Sequence, residues 1–353
     1  MMQTIIEQFS ATIRHAVEQR QPLCIRGSGS KDFYGGALLG EVVDTTPYSG
    51  VVSYEPQELV VTARAGTSLT EIEKLLADNG QMLPFEPPHF GAQATLGGCV
   101  AAGLSGPRRA YQGAVRDFVL GVRMLDGHGD DLKFGGQVMK NVAGYDVSRL
   151  MTGSLGTLGV LLEVSLKVLP RPAEEVTLVF EMDESEAIEQ VNRWSGKPLP
   201  LSASCYDNSL LSVRLSGTPA AVRVAQQKMG GALRHDGAKF WQSVREHTLY
   251  FFQTDTPLWR ISLPATHPPL TLPGRQLLEW GGAVRWLESA ADAQMIRQMA
   301  QQAGGQATLF RAKEKPVGVF HPLSRALLNI HQRLKLTFDP HGIFNPGRMY
   351  AEF

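Results

Sequence analysis

Apolar residues at Ile5, Ile6, Phe9, Ile13 and Val17 recur near helical spacing, so the chain opens on an amphipathic helix that ends before Pro22. The run PLCIRG that follows is short, apolar and stopped by glycine, which reads as a strand. Three further β-rich runs, GEVVDTT, SGVVSYEP and LVVTARAG, are broken by turn residues. SLTEIEKLLADNG then reads as a helix: Ser68 and Glu71 have the spacing of a capping box, and Gly80 after Asn79 supplies a stop. Over residues 83–159, strands such as DFVLGVRML and GVLLEVSLKVL lie between dense glycine clusters. That interleaving argues for backbone approaching a ligand or another strand, and against low-complexity sequence.

The texture changes after LPRPAEE, whose two prolines mark a boundary. From residue 176 to about 310, the strands VTLVFEM, LLSVRL, LWRISLP and AVRWLES alternate with the helices SEAIEQVNRW, PAAVRVAQQKM and DAQMIRQMAQQ. This pattern predicts a second domain of α+β class, an antiparallel sheet with helices on one face. The last segment reads as a helix ended by Asp339 and Pro340, followed by an Asn-Pro-Gly turn.

At 353 residues the chain is long enough for two or three domains and a buried cofactor. Its 34 Lys and Arg balance 34 Asp and Glu, so it has no basic field for nucleic acid. The longest apolar stretch is interrupted by Glu163 and Lys167, and the first residues carry acids without a signal-peptide layout, which predicts a cytoplasmic protein without a transmembrane segment. Cys24, Cys99 and Cys205 lack the spacing of a zinc or iron–sulfur site. No metal site is expected, and an iron–sulfur carrier would have to sit on another chain.

The loop RGSGS, with Gly27, Ser28, Gly29 and Ser30, lacks the third glycine of a dinucleotide fingerprint and the Gly-Lys-Ser/Thr of a P-loop. It is either a simple turn or a nest of N–H groups for phosphate. A second cluster, ATLGGCVAAGLSG, combines the hydroxyl of Thr95 with Gly97, Gly98, Gly103 and Gly106, a surface suited to a flat ring and a diphosphate. A third, GSLGTLG, leads into a strand whose backbone near Val160 can meet a ring edge. Arg108, Arg109 and Arg116 lie in the same region as anion anchors, unless Arg109 and Arg116 pair with Asp117 instead. The nine histidines are scattered, and Lys140 and Asp146 read as a structural ion pair or cap.

RGSGS, ATLGGCVAAGLSG, RDFVLGVRMLDGHGD, MKNVAGYDVSRLMTGSLGTLGVLLEVSLKVLP and FDPHGIFNPGRM occur in the order and spacing of a known family. Together they resemble FAD-binding proteins of the vanillyl-alcohol oxidase type, with a PCMH-type FAD domain. The wording LPFEPPHFGAQATLGGCVAAGLSGPRRAYQGAVRDFVLG is most similar to the FAD-binding subunits of bacterial glycolate oxidases. The resemblance implies an α+β fold: a two-subdomain PCMH-type FAD-binding domain over residues 1–172, an α+β cap domain with antiparallel sheet over 173–320, and a C-terminal segment, 321–353, returning to the FAD domain. By the same resemblance Gly27, Ser28, Gly29 and Ser30 form the pyrophosphate loop. Thr95, Gly97, Gly98, Ser105 and Gly106 would follow the diphosphate and ring, Val160 would lie near the adenine or ribose, and Asn345 would approach the isoalloxazine side.

The implied activity is oxidation of a small 2-hydroxy acid, glycolate or D-lactate, with FAD as cofactor. The implied partners are a larger catalytic flavoprotein subunit and an iron–sulfur subunit that passes electrons to membrane quinone; through them the chain would be peripheral at the inner membrane. Two departures matter. Many relatives have a histidine, covalently bonded to flavin, where this loop has Ser30, so non-covalent FAD is expected. The related dehydrogenases for D-2-hydroxy acids also carry GSEGTLG and a paired-histidine segment; this chain has Leu155 in place of the glutamate and no such pair, which leaves the catalytic base unassigned. A non-catalytic assembly or relay subunit, and a stand-alone sugar or lactone oxidase, are the alternative readings.

Overall fold

The computed structural model describes residues 2–136 and 146–353. The opening helix, Met2–Gln19, buries Ile6, Ile13 and Ala16 against Leu23, Val43, Leu125, Val160 and Phe344. The strand Leu23–Arg26 pairs in parallel with Glu41–Asp44, and on its other side Leu23 bridges Phe344 near the far end of the chain. The sequence therefore returns to its own beginning, which places the C-terminal turn beside the RGSGS loop.

A five-stranded antiparallel sheet follows in the spatial order Val51–Glu55, Val60–Arg64, Val160–Lys167, Val119–Leu125, Asp131–Gly135. One face packs on the helix Leu69–Asp78 and on the short helix Leu96–Ala102. Ser68 caps the first of these helices by accepting from the Thr70 N–H at 3.2 Å, one residue short of the partner that the capping-box spacing implied. Asp146 caps Val147–Leu150 and pairs with Arg149 at 2.9 Å, while Lys140 lies outside the described residues.

Residues 174–311 build an eight-stranded antiparallel sheet. Alternation along its strands assigns residues to opposite faces. Tyr206 and Leu278 meet the helices Glu184–Ser195 and Pro219–Met229, and Trp259, Leu287 and Leu309 meet Ala293–Gln302. Cys205, Leu277, Trp286 and Phe310 instead form a core with Tyr34, Ala102, Leu104 and Leu155 of the first half of the chain. The two halves are thus joined by shared hydrophobic burial, the dominant favourable term in such contacts.

Three strands of this sheet, Leu201–Asp207, Arg275–Glu279 and Gln306–Arg311, and the helix Gly237–Arg245 are not evident in the sequence pattern. LSASCYD reads as polar, yet the strand is almost wholly buried. Its serines satisfy themselves: Ser202 Oγ lies 2.6 Å from Ser216 Oγ, and Ser204 Oγ accepts from the Gly281 N–H at 2.8 Å. A buried hydroxyl with a partner costs little, so a polar composition does not forbid an interior strand.

Candidate functional site

The RGSGS loop leaves its strand at Arg26, whose guanidinium folds back onto Asp32 with Nη2 to Oδ2 at 2.6 Å. Asp32 N–H closes the turn on Gly29 O at 3.0 Å. Gly29 has φ +79°, which favours glycine, and a Cβ built there would lie 2.2 Å from Arg26 Nη2, so a side chain would displace the guanidinium that holds Asp32. Within the turn, the N–H groups of residues 27–31 make no hydrogen bond to other protein groups among the described residues.

The second glycine block touches the first directly. A Cβ on Gly27 would stand 2.5 Å from Thr95 Oγ1. Thr95 caps the helix Leu96–Ala102 by accepting from Gly98 N–H at 3.2 Å, and Leu96 and Gly97 donate to Thr67 O and Ala65 O at 2.8 and 2.7 Å. The amides at this helix start are therefore committed within the protein, whereas those of the loop are not.

The third block is tied in by Asn345. Its Oδ1 accepts from the Ile25 N–H at 2.7 Å and its Nδ2 donates to Leu155 O at 2.7 Å. Gly156, at φ +73°, lies against it: a Cβ there would be 2.7 Å from Asn345 Nδ2. Leu155 sits in the apolar cluster with Tyr34 and Ala102.

These segments enclose a cleft whose empty space, counting the solvent at its open mouth, is about 770 Å³. Gly27, Ser28, Gly29, Ser30, Thr95, Gly97, Gly98 and Asn345 all line it, with Ile25, Ala65, Ala101 and Leu161 as an apolar wall. Arg26, Lys31 and Arg348 bring positive charge, and the one carboxylate of the lining, Asp32, is taken by Arg26. Burial lowers the pKa of Lys31, whose ammonium donates to His89 O at 3.1 Å. Arg348 donates to the carbonyls of Asp32, at 3.0 Å, and Gly36, bracing the loop from the C-terminal side.

Several sequence-identified positions are not among the residues that line this cleft. Val160 is fully buried among Ile6, Ile13 and Leu23, its strand neighbours Gly159 and Leu161 facing the cleft instead. Ser105 and Gly106 line a second cavity toward the large sheet. Arg108 is consumed by Glu86 at 2.9 Å and Glu175 at 2.5 Å, and Arg116 stands 3.9 Å from Asp117. Lys31 and Arg348 were not singled out in the sequence; the only signal for them is adjacency to the RGSGS and Asn-Pro-Gly motifs.

The donor set, free loop amides with cations and few open carboxylates, fits a diphosphate, and the apolar wall fits a ring system. Residues 4–135 match the family described as FAD binding domain. Over 350 residues the chain is 50% identical to glycolate oxidase subunit GlcE of Escherichia coli strain K12, covering 99% of this chain and 97% of that one. The chain belongs to the GlcE family. Glycolate oxidase subunit GlcD of Bacillus subtilis strain 168 is 29% identical over 59% of this chain, which spans 45% of that protein's length. In fold, this GlcE-family chain matches alkyldihydroxyacetonephosphate synthase with a TM-score of 0.64 at 16% identity, covering 96% of this chain and 74% of that one. The architecture is the PCMH-type FAD-binding fold, with antiparallel sheets in both halves. No helix among the described residues is long and apolar enough to cross a membrane.

Proposed function

We propose that this chain is the FAD-binding subunit of a glycolate oxidase complex, taking part in oxidation of a 2-hydroxy acid to a 2-oxo acid. The observation that carries the reading is the turn at residues 27–31, which lines the cleft between the glycine blocks and whose amides have no protein partner among the described residues. Bound there, FAD would supply a two-electron acceptor for the hydride of the hydroxy acid. The loop amides and the hydroxyls of Ser28 and Ser30 would hold its phosphates, with Lys31 and Arg348 providing charge. Residues 1–172 with 321–353 would form the flavin-holding unit and residues 173–320 its cover.

Ser30 offers no nucleophilic ring nitrogen, and the nearby His89 turns its Nε2 toward Glu73 at 3.2 Å. FAD is accordingly held without a covalent bond; acid precipitation should leave all of the flavin in the supernatant. The partners in this reading are a catalytic flavoprotein subunit and an iron–sulfur subunit, and the complex lies on the cytoplasmic side of the inner membrane.

The deciding experiment is the visible spectrum of the purified chain, followed by glycolate or D-lactate. Flavin absorbance bleached by substrate alone supports independent catalysis. Bleaching only with partner subunits supports a relay within the complex. A colourless chain that FAD cannot reconstitute refutes the reading.

A further inference from the structure

The second cavity lies between the segment containing Ser105 and the inner face of the eight-stranded sheet. On strand Leu258–Ser262, alternation turns Arg260 to the same side as Leu258, toward the first half of the chain. Its guanidinium lies 5.1 Å from the ring centre of Trp280, and that of Arg109 lies 4.5 Å from the same ring. One indole therefore carries two cations, one from each half of the protein.

Neither cation has a carboxylate in direct contact among the described residues; Glu279 acts on Arg260 only at longer range. Arg108, Arg116 and Arg245 each have a carboxylate within ion-pair distance, while no carboxylate reaches Arg109 or Arg260 among the described residues. No protein hydrogen bond from either guanidinium is found among those residues. The single carboxylate in the lining, Glu279, is instead held by the indole N–H of Trp286 at 2.8 Å. Unpaired arginines in a confined aromatic site carry a desolvation cost that an anion relieves.

The platform itself is held in a costly conformation. Trp280 has φ +56°, followed by Gly281 at +70° and Gly282 at +93°. A tryptophan in the left-handed region costs about 1–2 kcal/mol. It is pinned by its Nε1–H donating to Gly106 O at 3.1 Å and by Asn192 Nδ2 donating to Gly281 O at 2.9 Å. Strain retained beside two unpaired cations points to binding rather than packing.

We propose that this cavity binds a small carboxylate of the 2-hydroxy or 2-oxo acid class, with Arg260 and Arg109 as its counter-ions and Trp280 as the platform that spaces them. The guanidinium fork matches a carboxylate better than a spherical anion. Tyr34 and Ser105, also in the lining, bring hydroxyls for the rest of such a molecule. The charge argument stands by itself; the choice of acid class rests on the function proposed above.

The test is calorimetric titration of the full chain with oxalate, a dicarboxylate that cannot be oxidised by hydride loss, with neutral glycolamide as control. Oxalate should bind and glycolamide should not. Arg260→Gln and Arg109→Gln should each weaken oxalate at least tenfold, with Arg260→Lys between them and the unsubstituted chain. Arg116→Gln, which removes a cation already near Asp117, should stay within twofold. Gly29→Val should leave oxalate affinity unchanged while removing flavin absorbance. Equal binding of glycolamide, no oxalate binding, or unchanged affinity in either Arg→Gln variant that melts cooperatively would overturn the proposal. Loss of oxalate binding in Gly29→Val would also overturn it, by assigning the anion to the loop. A colourless chain that still binds oxalate through Arg260 refutes the flavin reading alone.

Discussion

The side chain of Asn345 bonds the backbone of Ile25 across 320 positions of sequence, Oδ1 accepting from the Ile25 N–H at 2.7 Å. Its amide also donates to Leu155 O, so one residue at φ +42° ties the first strand, the third glycine block and the C-terminal turn. Asparagine tolerates the left-handed region better than most side chains. Asn345→Ala should cost about 2–4 kcal/mol, from two buried hydrogen bonds and the loss of that tolerance. Asn345→Asp keeps the acceptor but sets a carboxylate against the Leu155 carbonyl, and should cost at least as much. Urea unfolding of the three proteins checks both.

Gly29→Val collides with Arg26 and forces a β-branched residue to φ +79°. Flavin stoichiometry in the purified variant should fall to near zero. The large sheet should still melt cooperatively, read by the fluorescence of its tryptophans, because its outer face has two cores that do not involve the loop. A variant that keeps full flavin refutes the loop as the phosphate holder.

Burial pushes the carboxyl of Glu279 up to about 7, against the opposing pull of the Trp286 N–H and Arg260. The folded state thus retains a proton that the unfolded chain releases near the ordinary value of 4.5. Stability from this group is complete below that value and is lost as pH rises through about 7, by up to about 3 kcal/mol. Glu279→Gln, which keeps an acceptor for Trp286, should flatten the fall in urea midpoint between pH 5 and pH 8. The groups around it are Arg260, two strands away across Val284–Glu288, together with Trp286, Glu86 and Cys205. Protonating Glu279 leaves Arg260 less compensated, so oxalate should bind more tightly at pH 6 than at pH 8.

Arg108, with 4% of its side chain exposed, joins Glu86 and Glu175, and Arg214 reaches the same Glu86 at 2.9 Å. Burial raises the pKa of Glu86, but Arg214 and Arg108 reverse this and hold it below the usual value. Arg108→Met should cost about 3–5 kcal/mol, because it strands charge rather than only removing a bond. A double-mutant cycle with Glu175→Gln should recover part of that loss.

The RGSGS loop and the cleft it lines were legible because their signals are local. Glycines at 27 and 29, the Thr95 cap and the Asn-Pro-Gly turn each answer a backbone demand that neighbouring residues already pose. Arg260 and Trp280 were harder to read. LWRIS contains an arginine in phase with an inward leucine, and EWGG marks a turn, yet neither pattern says what lies opposite.

The sequence by itself determined the elements flanking the glycine blocks and the α+β class, since hydrophobic period and turn chemistry act over a few residues. Its five ordered blocks also carried the family. Only the tertiary structure decided that Gly27 meets Thr95, that Arg108 is spent on Glu86 and Glu175, and that Arg109 and Arg260 share one indole. Those outcomes depend on which charges find partners after distant segments pack, and the cost of leaving a charge unpaired exists only once water has been excluded.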